Sequence, residues 1–164
     1  MSRPCALRSA GRYAAKHNPA AYYVGEDDRA ACQRDDVPLG TTEAGALAAD
    51  LDGDTLPAFS TVIPDICNDT HDCPVATGDR WVARWIDRIT ASAAYRSGST
   101  MVVVAWDEPT PMPFVVVAPT IRPGTVISQR IDHYALLRLT EDLLGLPRLR
   151  RAATAPDLRL LLGV

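Results

Sequence analysis

The sequence predicts an α/β chain, a mostly parallel sheet with flanking helices. Three observations predict it. Two short runs, Met101–Trp106 and Phe114–Val117, are continuously apolar and rich in valine, the composition of strands covered on both faces. Two longer stretches, Gly78–Tyr95 and Tyr134–Leu144, repeat apolar residues at helical spacing. The two kinds of segment alternate along the chain, as they do where helices cover a sheet.

In order, the chain to about Leu39 is irregular and carries Tyr22-Tyr23 and the acidic run Glu26-Asp27-Asp28. Thr42 to Leu51 reads as a short helix, with Thr42 as its cap and Glu43 in its first turn. Asp52-Gly53-Asp54 is a turn signal, and Ser60–Ile63 reads as a strand stopped by Pro64. In the helix Gly78–Tyr95, Trp81, Val82, Trp85, Ile86, Ile89 and Ala93 form the apolar stripe, and Ser97-Gly98-Ser99 ends it. The strand at Met101–Trp106 follows at once. After Phe114–Val117, Arg122-Pro123-Gly124-Thr125 is a turn, and Val126–Ser128 reads as a short strand. The helix Tyr134–Leu144 has Gly145 as C-cap and Pro147 as its stop, and a last short helix is expected near Leu158–Leu162.

The 164 residues have room for one domain with a sizeable core. A net charge of −3 gives no reason to expect nucleic acid as a partner, and no stretch has the length of a transmembrane segment. The N-terminus, Met1–Arg8, lacks the apolar region of a signal peptide. Thirteen prolines imply extended, stiffened loops. Cys67 and Cys73 are near enough in sequence for a small disulfide loop, which suits an exported protein; Cys5 and Cys32 are left over.

Chemistry concentrates in two stretches. Cys67-Asn68-Asp69-Thr70-His71-Asp72-Cys73 is too polar for any core element. A carboxylate beside an imidazole, as Asp69 and Asp72 stand beside His71, fixes its tautomer and favours its charged form. Such a ring can bind a phosphoryl oxygen or protonate a leaving alkoxide; otherwise it is a loop histidine next to a disulfide. The two cysteines and the histidine also have the atoms of a zinc site, at a spacing zinc sites do not commonly use. The second stretch is Asp107-Glu108, directly after the stronger strand. Polar groups at the C-terminal ends of strands are where open α/β sheets bind ligands. The pair offers hard oxygen ligands for a divalent cation if Pro109, Pro111 and Pro113 turn the backbone; otherwise it is a solvated acidic turn. His133, next to Asp132, either contacts an anion at a helix N-terminus or simply follows the capping residue. His17 carries less signal by itself. No GxSxG elbow, Walker loop, Rossmann glycine set or HExxH motif is present.

Several segments in order, Lys16-His17-Asn18-Pro19, Leu56–Ser60, Ile63–Cys73, Trp106-Asp107-Glu108 and His133–Arg138, resemble the C-terminal half of a phosphoesterase family. That family contains bacterial acid phosphatases, phosphatidylinositol-phosphate phosphatases and phosphocholine-preferring phospholipases C, and it belongs to the alkaline-phosphatase-like superfamily. The resemblance runs from about Tyr13 to Gly163.

The resemblance implies a partial alkaline-phosphatase-like domain, the C-terminal portion of a metal-dependent phosphoesterase. Asp107 and Glu108 are the implied ligands of a divalent metal ion, and His71 is expected at the phosphate. Asp72 and His133 join it as catalytic candidates, and His17 and Asp69 as substrate-binding ones. The implied substrate is a phosphate ester, either a small molecule or a lipid headgroup. The family's route runs through a phosphorylated serine or threonine. That nucleophile and a further acid–amide pair for the metal belong to a first half that nothing in this chain resembles. The chain also departs from the family's glycine-rich loop after the acidic pair, running instead through Pro109–Pro113. Two other readings stand beside this one: a catalytically silent truncated remnant, and a small binding module held by a Cys67–Cys73 loop.

Overall fold

A computed structural model describes residues 4–108 and 110–164. The chain is α/β and divides into two compact units, Met1–Ala93 and Ala94–Val164.

The first unit is helical. Two 3₁₀ turns, Ala15–His17 and Pro19–Tyr22, precede α1 (Asp28–Asp35), α2 (Ala46–Gly53) and the long α3 (Val75–Thr90). A disulfide between Cys5 and Cys32 joins the N-terminal segment to α1, and both cysteines are buried against Ala21. Asn18 is also buried, and its amide donates to Asp36 Oδ2 at 2.9 Å, which fixes the end of the first 3₁₀ turn. Further on, Trp85 of α3 packs against Leu47 and Leu51 of α2, with Trp81 and Ile89 alongside. Those three α3 positions are four apart, so they share one face of the helix. Arg88 ties the same helices together, donating to the Thr42 carbonyl at 3.1 Å and pairing with Asp52.

Thr42 does not cap α2, because that helix starts four residues later, after Gly45. The hydroxyl of Thr41 instead accepts from the backbone N–H groups of Glu43 and Ala44, which closes a turn where the sequence predicts the first helical turn. The strand expected at Ser60–Ile63 has no pairing partner among the described residues, and the segment is exposed.

The short α4 (Ala93–Arg96) begins at the boundary, and the second unit continues with β1 (Val102–Ala105), β2 (Phe114–Val117), α5 (His133–Leu144) and α6 (Leu158–Leu162). The strands pair antiparallel, with Val102 opposite Val117 and Ala105 opposite Phe114. This corrects the expected parallel pairing. Only residues 106–113 connect the strands, too few for the crossover that parallel neighbours need. The two-stranded sheet is also not buried on both faces. Val103 and Phe114 pack against the core of α5 and α6, whereas Val115 is 53% exposed. The expected strand at Val126–Ser128 does not form, and Val126 is almost fully exposed.

The core of this unit is Ala135 and Leu139 of α5 against Ala155 and Leu158. Burying a leucine as completely as Leu139 or Leu158 stabilises the unit by about 2 kcal/mol. Asp132 caps α5, accepting from the Tyr134 and Ala135 N–H groups, and Gly145 ends the helix at φ 66° as expected. Asp157 caps α6 in the same way and also pairs with Arg138 at 2.7 Å.

Candidate functional site

The loop between Asp65 and Cys73 is built by its own polar side chains. Asp65 Oδ1 accepts from the Cys67 and Asn68 N–H groups, each at 3.0 Å, which turns the chain. The Asp72 N–H returns to the Ile66 carbonyl at 2.8 Å, and a Cys67–Cys73 disulfide, which the spacing allows, closes the loop. Thr70 takes the left-handed conformation, φ 75°. The loop lies directly on α3 at Gly78. A Cβ there would stand 2.7 Å from the Asn68 carbonyl oxygen and press on the Thr70 methyl group, so only glycine lets loop and helix meet this closely.

Asp69 joins this loop to the first 3₁₀ turn. Its Oδ2 pairs with His17 Nδ1 at 3.0 Å, and its Oδ1 accepts from the His71 N–H at 2.8 Å. Next to it, His71 Nδ1 lies 2.7 Å from Asp72 Oδ1. The two imidazole rings stand 5.7 Å apart, centre to centre. His17, Asp69, His71 and Asp72 therefore form one cluster of the first unit, with each histidine backed by its own carboxylate. The His17–Asp69 pair is about one-fifth exposed, and the His71–Asp72 pair is about half exposed.

Lys16, which the sequence marks only as part of the Lys16-His17-Asn18-Pro19 segment and gives no role, completes the cluster. Its ammonium is 3.2 Å from His71 Nε2. A carboxylate only accepts, so Nδ1 of His71 carries the proton shared with Asp72. An ammonium only donates, so Nε2 is the acceptor for Lys16. The two contacts together define the neutral Nδ1–H tautomer of His71. Zinc ligation by Cys67 and Cys73 is excluded while they are joined, since disulfide sulfurs are not thiolates. The same holds at Cys5, Cys32 and Asp36, whose ligand atoms also lie close together.

The second unit carries Asp107, Glu108 and His133. Asp107 and Glu108 are exposed in the hairpin loop after β1, where the Trp106 N–H donates to the Pro113 carbonyl at 3.4 Å. Neither carboxylate makes an ion pair among the described residues. Pro109, expected to help turn the backbone here, lies outside the described residues. His133 is the first residue of α5, and its Nε2 donates to the Trp106 carbonyl at 3.2 Å, which brings the imidazole next to the acidic stretch. A pair of exposed carboxylates free of basic partners is a donor set that fits a hard divalent cation.

A sequence profile of the phosphoesterase family matches residues 3–147. Over 155 residues the chain is 31% identical to a phosphatidylinositol-3-phosphatase of Mycobacterium tuberculosis (strain ATCC 25618 / H37Rv). The match covers 92% of this chain and 48% of that protein, so the chain spans about half the length of the curated relative. No solved structure matches the chain at a significant level. The matched region contains both clusters, and the chain belongs to the phosphoesterase family.

Proposed function

We propose that this chain acts in the metal-dependent hydrolysis of phosphate esters, with the histidine cluster of the first unit receiving the phosphoryl group. The observation that carries this reading is the pair of imidazoles 5.7 Å apart, each oriented through Nδ1 by its own carboxylate. A carboxylate at Nδ1 fixes the tautomer of an imidazole and leaves Nε2, once protonated, to bind a phosphoryl oxygen and relay that proton; at His71 this first requires Lys16 to leave Nε2. Family membership and the likeness to a phosphatidylinositol-3-phosphatase support a phosphate-ester substrate, either a soluble monoester or a phosphorylated lipid headgroup.

In this reading Asp107 and Glu108 hold the divalent cation, and His133 supports their loop through the Trp106 carbonyl. A divalent cation of this kind, when bound, supplies the Lewis-acid charge neutralisation used in phosphate-ester hydrolysis. Two carboxylates fill only part of the coordination sphere of such an ion. The remaining ligands and the nucleophile of a two-step route are not among the residues assigned here. We further propose that the two units are parts of an alkaline-phosphatase-like α/β architecture.

The test is hydrolysis of p-nitrophenyl phosphate by the full chain with Mg²⁺, Mn²⁺, Ca²⁺ or Zn²⁺ added in turn. Turnover that needs one of these ions and drops about 10²-fold or more in Asp107→Asn is the expected result. Turnover equally fast in a chelator, or unaffected by that substitution, would overturn the metal assignment. Absence of turnover with every ion would favour the silent-remnant reading.

A further inference from the structure

The Lys16 ammonium occupies a position that the chemistry above does not use. It donates to His71 Nε2 at 3.2 Å, and that atom is the outward nitrogen of the Asp72–His71 pair. Nε2 has a single lone pair, and Lys16 holds it. His71 therefore cannot present that nitrogen to a substrate as a donor without first releasing the lysine and taking up a proton there. An ammonium has three N–H groups, and one is spent on the imidazole. Two remain, on a side chain that is exposed and reaches the cluster from the 3₁₀ turn carrying His17. Lys16 is thus the cation of this cluster whose charge does not depend on a histidine proton, and Asp72 and His71 fix where it stands. A free surface lysine is seldom pinned in this way, because ordering its long side chain costs rotamer entropy.

We propose that Lys16 is a substrate-binding residue, which contacts non-bridging phosphoryl oxygens and favours dianionic phosphate monoesters over monoanionic phosphate diesters. This rests on the phosphoryl-binding reading of the cluster. A monoester near neutral pH carries about twice the charge of a diester, so its attraction to one fixed ammonium is about twice as large at equal distance. A monoester also offers three non-bridging oxygens to donors, whereas a diester offers two. His71 acts here as a positioning residue: its Nε2 holds the lysine, and Asp72 holds its tautomer.

The test compares the full chain with Lys16→Met, which keeps the length of the side chain without its charge, and with Lys16→Arg. One arm titrates inorganic phosphate and follows the imidazole nitrogen resonances of His17 and His71. The other measures kcat/KM for p-nitrophenyl phosphate and for bis(p-nitrophenyl) phosphate with the activating cation. In the wild type, phosphate should shift both imidazoles. Lys16→Met should weaken phosphate binding roughly tenfold. It should also move the His71 Nε2 resonance in the phosphate-free protein, a change that general loosening of the fold would not confine to that nitrogen. The monoester-to-diester ratio should fall by a similar factor, mainly through KM for the monoester, and Lys16→Arg should recover most of it. Unchanged phosphate binding in Lys16→Met, or equal losses on both substrates, would overturn the assignment. A wild-type chain that binds phosphate but hydrolyses neither ester overturns the hydrolase reading only, and the binding arm then decides on Lys16. A wild-type chain that binds no phosphate overturns the Lys16 proposal whatever its turnover.

Discussion

Asp69 serves two partners with its two oxygens, and so it is the residue on which the cluster depends. Asp69→Asn keeps the shape and one accepting oxygen. If that oxygen stays on the His71 N–H, an amide NH₂ faces His17 Nδ1 and the imidazole must take the opposite tautomer. Activity is expected to fall about 10²-fold, with a stability change of no more than about 1 kcal/mol. Turnover and thermal melting measured on the same preparations check this; a large drop in melting temperature with an equal loss of activity would make Asp69 a structural residue only. Acidic and histidine side chains were legible in the sequence because nothing else explains that density of polar groups between two cysteines. The place of Lys16 was not legible, because Lys16-His17-Asn18-Pro19 marks the segment but no spacing or pairing in the sequence ties its lysine to His71. The Cys5–Cys32 bridge escaped for a related reason: sequence separation says nothing about which distant cysteines meet.

Among the elements, α3 sets the position of the 65–73 loop through Gly78 rather than through a charged contact. Gly78→Ala adds a methyl group where the Asn68 carbonyl and the Thr70 methyl already lie, so loop or helix must move. The expected cost is about 1–3 kcal/mol, together with a loss of activity at temperatures where the protein remains folded. Denaturant melts and assays of the variant test both; an unchanged melt would mean that the loop does not rest on this helix. On α5, the Asp142 carboxyl is held below its ordinary value of 3.8, chiefly by hydrogen bonds from Arg148, with Arg138 adding to the effect. A carboxyl whose value falls on folding stabilises the fold above its unfolded value and loses that contribution as pH falls through the folded one. Stability of the wild type should therefore decline below about pH 4, whereas Asp142→Asn should be less stable at neutral pH and decline less in acid. Urea melts between pH 2.5 and 7 follow both curves. The helices α3 and α5 were readable from apolar spacing and from Asp132 and Gly145 as caps. The sheet was misread because continuous valines describe a strand's composition but not its partner, and the short 106–113 connection argued against a parallel neighbour.

At the scale of the whole molecule, covalent reinforcement is uneven. All four cysteines, and so both disulfides, belong to the first unit, and the second unit relies on the packing of α5 and α6 and on the Arg138, Asp142 and Asp157 network. By the chain-entropy relation, the Cys5–Cys32 bridge, with its separation of 27 residues, stabilises by about 3.5 kcal/mol. The six-residue separation of Cys67 and Cys73 corresponds to about 2 kcal/mol. Reduction should therefore loosen the segment around Cys5 and the 67–73 loop first, and with them the cluster that Asp69 holds together. Hydrogen exchange with and without reductant, read peptide by peptide, tests this. Protection should fall across α1 and residues 65–73, while α5 and α6 keep theirs. Activity should decline with the 65–73 protection rather than with that of α5. Uniform loss of protection across residues 94–164 would instead mean that the second unit owes its stability to the disulfide-bonded part of the chain.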